Sequence, residues 1–282
     1  MKIHTLDTGL FKLDGGAMFG VVPKSIWQKL NPADEHNMCT WALRCLLVED
    51  AGRLMLVDTG IGDKQDDKFR AHFYLHGDDT LEKSLRRLGY TAADITDVLL
   101  THLHFDHCGG AVERTAAGKL QPAFANATYW SNEAHWNWAT APNPREKASF
   151  LKENILPIQE SGQLRFIDPQ GGIPKALPAL QNLLFVDGHT EKMMLPQFRY
   201  QGRTLVFAAD LLPSAHHVGL PYVMSYDVRP LVTMDEKARI LQQAADENWV
   251  LILEHDHQTE CITVEQTERG IKVAERFRLA EL

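Results

Sequence analysis

The sequence predicts a mixed α/β fold, and three observations carry that prediction. Short β-rich apolar runs recur along the chain, helical patterns with one apolar face lie between them, and clusters rich in His and Asp follow four of the runs directly.

Residues 39–60, CTWALRCLLVEDAGRLMLVDTG, read as two strands joined by the turn Glu49-Asp50-Ala51-Gly52-Arg53 and closed by a glycine turn. In 79–88, Leu81, Leu85 and Leu88 share one helical face and Gly89 supplies the stop. Residues 95–100 form a short buried strand that delivers the chain into Thr101-His102-Leu103-His104-Phe105-Asp106-His107. A helical pattern is read over 144–154 and another over 231–248, both placed to cover sheets. Runs at 183–186, 204–208 and 249–253 end in Asp187-Gly188-His189, Ala209-Asp210 and Glu254-His255. From Cys261 the tail CITVEQTERGIKVAERFRL alternates as two strands. With no low-complexity linker and no repeat period, 1-282 is read as a single domain.

Composition narrows the function. A chain of 282 residues that is 44% hydrophobic can bury an extensive core without disulfides. Its four cysteines, Cys39, Cys45, Cys108 and Cys261, contain no CxxC pair, which argues against both a disulfide framework and a thiolate zinc site. The net charge of -8 comes without a basic block, so nucleic acid is a poor partner and a small-molecule substrate a better one. Neither a basic-then-apolar leader nor an apolar run near the roughly 20 residues of a membrane span is read, and the expected location is cytoplasmic, with no membrane partner.

Four strand ends carrying ligand-type side chains imply a site assembled at one edge of the sheets. In HLHFDH, His102 and His104 are two residues apart, so on an extended turn both rings can face one cation, while Asp106 and His107 turn toward a second position. His189 completes a three-histidine face with His102 and His104, and Asp210 is placed to bridge. His255 completes the second position with Asp106 and His107, with His257 its competitor. Neutral imidazoles and ionised carboxylates coordinate cations at pH 7 without unusual pKa values. The nitrogen and oxygen donor set suits two divalent ions, zinc first, with manganese, iron or cobalt also compatible. Such a pair polarises a carbonyl and brings a bridging hydroxide to neutral pH, which points to hydrolysis, with Asp106 and Asp210 at the reacting centre.

With THLHFDHCGG, the later DGHT, the ADL after a strand and the EHD near the end, the chain resembles the metallo-β-lactamase superfamily over most of its length. The resemblance implies an αβ/βα sandwich, assigns His102, His104 and His189 to one ion and Asp106, His107 and His255 to the other, and makes Asp210 the bridge. Asp58, in LVDTG, matches a superfamily position that supports the site by hydrogen bonds. The segments DGGAMFGVVPK, NPREKASF and DLLPSAHHVGLPYVMSYD look most like the quorum-quenching lactonase and organophosphate-hydrolase branch. The family resemblance also makes a homodimer an alternative to a monomer.

Departures refine that likeness. Asp210 stands where the commonest zinc β-lactamases carry cysteine, and Pro213 stands where acyl-homoserine lactonases place a substrate-contacting tyrosine. Tyr222 or Tyr226 is then the candidate phenol, Met18 and Phe19 are candidate apolar walls, and His216 and His217 candidate neighbours of the pocket. The expected activity is hydrolysis of a lactone or ester, of the N-acyl homoserine lactonase type. Its alternatives are phosphotriester hydrolysis and a metal-binding sensor or scaffold without turnover.

Overall fold

Strand Met38–Asp50 is apolar on both faces because both are covered. Leu46 and Val48 enter one core cluster, whereas Cys45 and Leu47 enter another on the opposite side. The same alternation splits Met55 and Val57 from Leu56, and Leu99 from Val98. The computed structural model describes residues 1–282 and builds from these strands two six-stranded sheets. One runs in the order Lys2–Asp14, Met38–Asp50, Arg53–Val57, Asp97–Leu99, Thr128–Ser131, Leu164–Phe166. The other runs Gly270–Phe277, Cys261–Thr267, Val250–Ile252, Arg203–Phe207, Met193–Tyr200, Asn182–Val186.

The larger core cluster joins the two sheets, with Leu46, Val57 and Leu99 from the first meeting Leu195, Val206 and Leu251 from the second. Helices Leu81–Arg87, Glu133–Thr140 and Lys152–Glu160 cover the outer face of the first sheet through Leu85, Trp136 and Ile155. Helix Pro230–Asp246 packs on strand Cys261–Thr267 of the second. The result is an αβ/βα sandwich. No helix is long and apolar enough to cross a membrane.

The hairpin, the helix at Leu81–Arg87 capped by Thr80, and the paired tail strands follow the sequence reading closely. The hairpin turn is built on Ala51 and Gly52, both at positive φ, as a two-residue connection with the twist of its strands requires. Two departures have physical causes. Residues 144–154 are not one helix: Asn143 Oδ1 accepts from the backbone N–H groups of Arg145 and Glu146, a local turn that competes with helix, and the helix begins only at Lys152. Strand Lys2–Asp14 escapes a period-two reading because its register slips between Asp7 and Leu10, so Leu6 and Phe11 are both buried although one is even and the other odd.

Candidate metal centre

Five chain reversals meet at one edge of the sandwich. Asp58 follows strand Arg53–Val57, the HLHFDH loop follows Asp97–Leu99, His189 follows Asn182–Val186, Asp210 follows Arg203–Phe207, and His255 follows Val250–Ile252. Two of these turns hold non-glycine residues in the left-handed region, Asp58 at φ 57° and Ala209 at φ 41°. That costly conformation is kept where it aims a carboxylate. Gly109 and Gly110 press the HLHFDH loop against residues 59–61: a Cβ on Gly109 would sit 2.0 Å from the Ile61 carbonyl oxygen.

The loops bring the candidate ligands into two buried groups. His102, His104, His189 and Asp210 form one, and Asp106, His107 and His255 the other, each with its donor atoms within 4.8 Å of one another. His104 Nδ1 lies 3.1 Å from both His102 Nε2 and His189 Nε2, and His107 Nε2 lies 3.2 Å from His255 Nε2. Asp210 faces both groups, Oδ2 lying 3.0 Å from His189 Nε2 and Oδ1 2.9 Å from His255 Nε2. Oδ1 is nevertheless buried without a well-aligned hydrogen-bond donor. Ring nitrogens converging on each other and on an orphaned carboxylate oxygen fit a donor set for divalent cations, which accept several lone pairs at once.

The outward nitrogens are tied down as metal-binding imidazoles usually are. Thr101 Oγ1 sits 3.1 Å from His102 Nδ1, Asp227 Oδ1 2.7 Å from His189 Nδ1, and the Ala42 carbonyl 2.8 Å from His255 Nδ1. Asp58 Oδ2 reaches His107 Nδ1 at 3.2 Å while its carboxylate also accepts from the Thr101 N–H and hydroxyl. Asp58, His107 and Glu254 form a third cluster of ligand-type groups. Asp58 and Glu254 there share His107 Nδ1, the side turned away from Asp210, so the cluster reads as support for His107.

Burial pulls the five imidazoles down, and the carboxylates decide which recover. Burial holds His102 well below its usual value, reinforced by neighbouring His107 and His104, and burial also lowers His104. For His189 burial is outweighed by Asp210 and Asp227, raising it to about 10, and for His255 by Asp210 and Glu254, raising it to about 9. Burial, with the Asp58 charge, pushes Glu254 up to about 8 against the pull of His107. A cation bound here therefore competes with protons for the same nitrogens.

A cavity of about 370 Å³ opens on this edge, and His104, Asp106, His189, Asp210 and His255 form its floor. Leu13, Met18, Phe73, Phe105 and Met224 give it an apolar wall, and Arg145, Ser149, Ser225 and Tyr226 a polar one. Of the six residues expected around the pocket, Met18 and Tyr226 line it, whereas Phe19, His216, His217 and Tyr222 do not. Phe19 is fully buried between Trp27 and His217. His217 is fixed by Ser214 Oγ at 2.7 Å and the Met18 carbonyl at 2.9 Å. Tyr222 lies edge-on to Phe19. Of the two competitors for the last ligand place, His255 joins the cluster, and His257 points to Gln258 instead. Arg145, Glu146, Ser149, Asp227 and Met224 escaped sequence reasoning, because residues 144–154 read as helix and single residues on a loop carry no periodic signal.

The Lactamase_B model, metallo-beta-lactamase superfamily, matches residues 44–255. An N-acyl homoserine lactonase from Bacillus cereus is 27% identical over 176 residues, covering 59% of this chain; the chain spans about 60% of that relative's length. A probable metal-dependent hydrolase from Staphylococcus aureus superposes with a TM-score of 0.87 at 28% identity, covering 100% of this chain and 98% of the other. AidC, a dizinc quorum-quenching lactonase in complex with a product, shares the fold with a TM-score of 0.75 at 22% identity over 98% of this chain and 94% of its own. The matched span contains all seven candidate ligands, and the chain belongs to the metallo-beta-lactamase superfamily.

Proposed function

We propose that residues 1-282 form one dinuclear metal-dependent hydrolase domain acting on a lactone or ester, in the manner of an N-acyl homoserine lactonase. The observation that carries this reading is the divided carboxylate of Asp210, one oxygen toward His189 and the other toward His255. In it His102, His104 and His189 would hold one ion, Asp106, His107 and His255 the other, with Asp210 shared between the two groups. Two divalent cations, zinc by preference, would supply Lewis acidity toward the substrate carbonyl and lower the pKa of a bound water toward about 7.

The chain's own residues do the rest. The apolar wall of Leu13, Met18, Phe73, Phe105 and Met224 takes an acyl chain and excludes water from the reacting carbonyl. Asp106, on the cavity floor, is placed to move a proton toward the leaving oxygen. Tyr226 offers its phenol from the cavity lining, filling the role left open by Pro213; burial, with the charge of Asp106 nearby, pushes that phenol up to about 12, so it remains a donor.

The test is metal analysis of the purified protein alongside parallel assays on N-acyl homoserine lactones and an aryl phosphotriester. Two ions per chain and a larger second-order rate on the lactones are expected. A larger rate on the phosphotriester would move the assignment to phosphotriester hydrolysis. Two ions with no turnover of lactones, esters or phosphoesters would leave a metal-binding scaffold.

A further inference from the structure

Among the five clustered histidines, His104 is the exception in its orientation. His102, His107, His189 and His255 turn Nε2 inward, while His104 turns Nδ1 inward and leaves Nε2 facing away. That outward Nε2 is buried and has no well-aligned hydrogen-bond partner, but Glu146 Oε1 lies 3.5 Å from it. We propose that Glu146 is a positioning residue for His104, holding the ring in the tautomer that carries its proton on Nε2 and presents a free lone pair at Nδ1. The inference rests on the metal-dependent reading above.

Glu146 is itself built into place. It is 2% exposed, and Oε1 accepts from Thr190 Oγ1 at 2.6 Å, one residue beyond His189. Oε2 accepts from Trp138 Nε1 at 2.7 Å and from Asn143 Nδ2 at 2.5 Å. Three donors aimed at one buried carboxylate leave it no freedom to follow the ring, so the ring must follow the carboxylate. Its location also explains why the first part of 144–154 is not helix: the Asn143 turn that replaces it delivers Glu146 to His104, while the Ser149 carbonyl accepts from the Phe105 N–H inside the HLHFDH loop. A carboxylate that fixes a ligand imidazole typically governs metal affinity by about 10- to 100-fold.

Nitrogen-correlated NMR of the histidine rings in metal-free protein tests the tautomer directly, and chelator competition with Zn2+ tests the consequence. In the wild type His104 is expected as the Nε2–H form. Glu146→Leu should lose about 10- to 100-fold in Zn2+ affinity, with Glu146→Gln, which still offers a carbonyl oxygen, retaining more. An Nδ1–H tautomer in the wild type, or a folded Glu146→Leu protein that binds Zn2+ as tightly as wild type, would overturn the proposal. If the Leu variant does not fold, the wild-type tautomer and the Gln variant decide. If the wild type binds no Zn2+, the metal-dependent reading fails, and the tautomer still reports on Glu146.

Discussion

Asp210 Oδ1 lies 2.9 Å from His255 Nε2, although the two residues end different strands of the same sheet. With Oδ2 at His189, this one side chain ties the two ligand groups together. Replacing it should therefore cost both groups at once. Asp210→Ala is expected to fold, because its neighbours are held by their own outward partners, but to retain one metal or fewer and to lose at least about 100-fold in hydrolysis. His104→Ala should behave similarly. Metal content by mass spectrometry, read against circular dichroism, checks this, and full hydrolysis in a metal-depleted variant would sink the assignment.

Proton competition sets the pH dependence. His189 and His255 are raised in the folded chain to about 10 and about 9, above the unfolded value near 6.5. A raised folded pKa stabilises fully below the unfolded pKa and loses that contribution as pH rises through the folded one. Metal-free protein should thus melt at progressively lower temperature between about pH 7 and pH 10, while the metal-loaded protein, whose ring nitrogens are occupied, changes less. Despite its burial, His107 is likewise held well above its usual value by Glu254, Asp210 and Asp106, so at pH 7 metal uptake should also release protons, on the order of three per chain, into a weakly buffered solution. Uptake without proton release would contradict the charged state of these rings.

The cavity wall separates two tyrosines that sequence alone left equivalent. Tyr226 lines the same cavity as Asp106, whereas Tyr222 packs edge-on against Phe19 with its ring centre 6.4 Å away. Tyr226→Phe should lower kcat by about 10-fold or more with little change in KM, as expected when a proton donor is removed from the transition state. Tyr222→Phe should leave both constants near wild type. Equal effects of the two changes would remove Tyr226 from the mechanism.

How far the sequence can be read follows from what each residue depends on. His102, His104, Asp106 and His107 are legible because four ligand types fall within six residues, and the later ligands because each follows an apolar run. The hairpin and the helix ending at Gly89 are legible because periodicity and turn residues agree. Glu146 and Asp227 act through contacts to residues 42 and 38 positions away in the chain, which no local pattern encodes. His217 reads as a neighbour of the pocket, and its actual packing is hidden because its partners, Phe19 and the Met18 carbonyl, come from nearly 200 positions earlier. Long strands with a slipped register, such as Lys2–Asp14, fail for a geometric reason: a bulge shifts every later side chain to the other face.

Phe19 supplies a stability prediction that isolates the cavity wall from the metal ligands. Its ring stacks on His217 at 4.9 Å with 6° between planes and on Trp27 at 5.6 Å with 8°, and it is 0% exposed. Phe19→Ala removes that middle layer, and the partners cannot both collapse into the gap because His217 is held at each ring nitrogen. The expected cost is about 3–5 kcal/mol, enough to lower Tm by roughly 10 °C in a chain of this size. None of the candidate ligands stacks on Phe19, so Zn2+ affinity should stay within about twofold of wild type. KM for long acyl substrates should rise, because Met18, the preceding residue, lines the cavity and loses its backing. Thermal melting, chelator competition and KM against acyl length measure the three effects separately, and a lost metal site in Phe19→Ala would show that the wall and the centre are not independent.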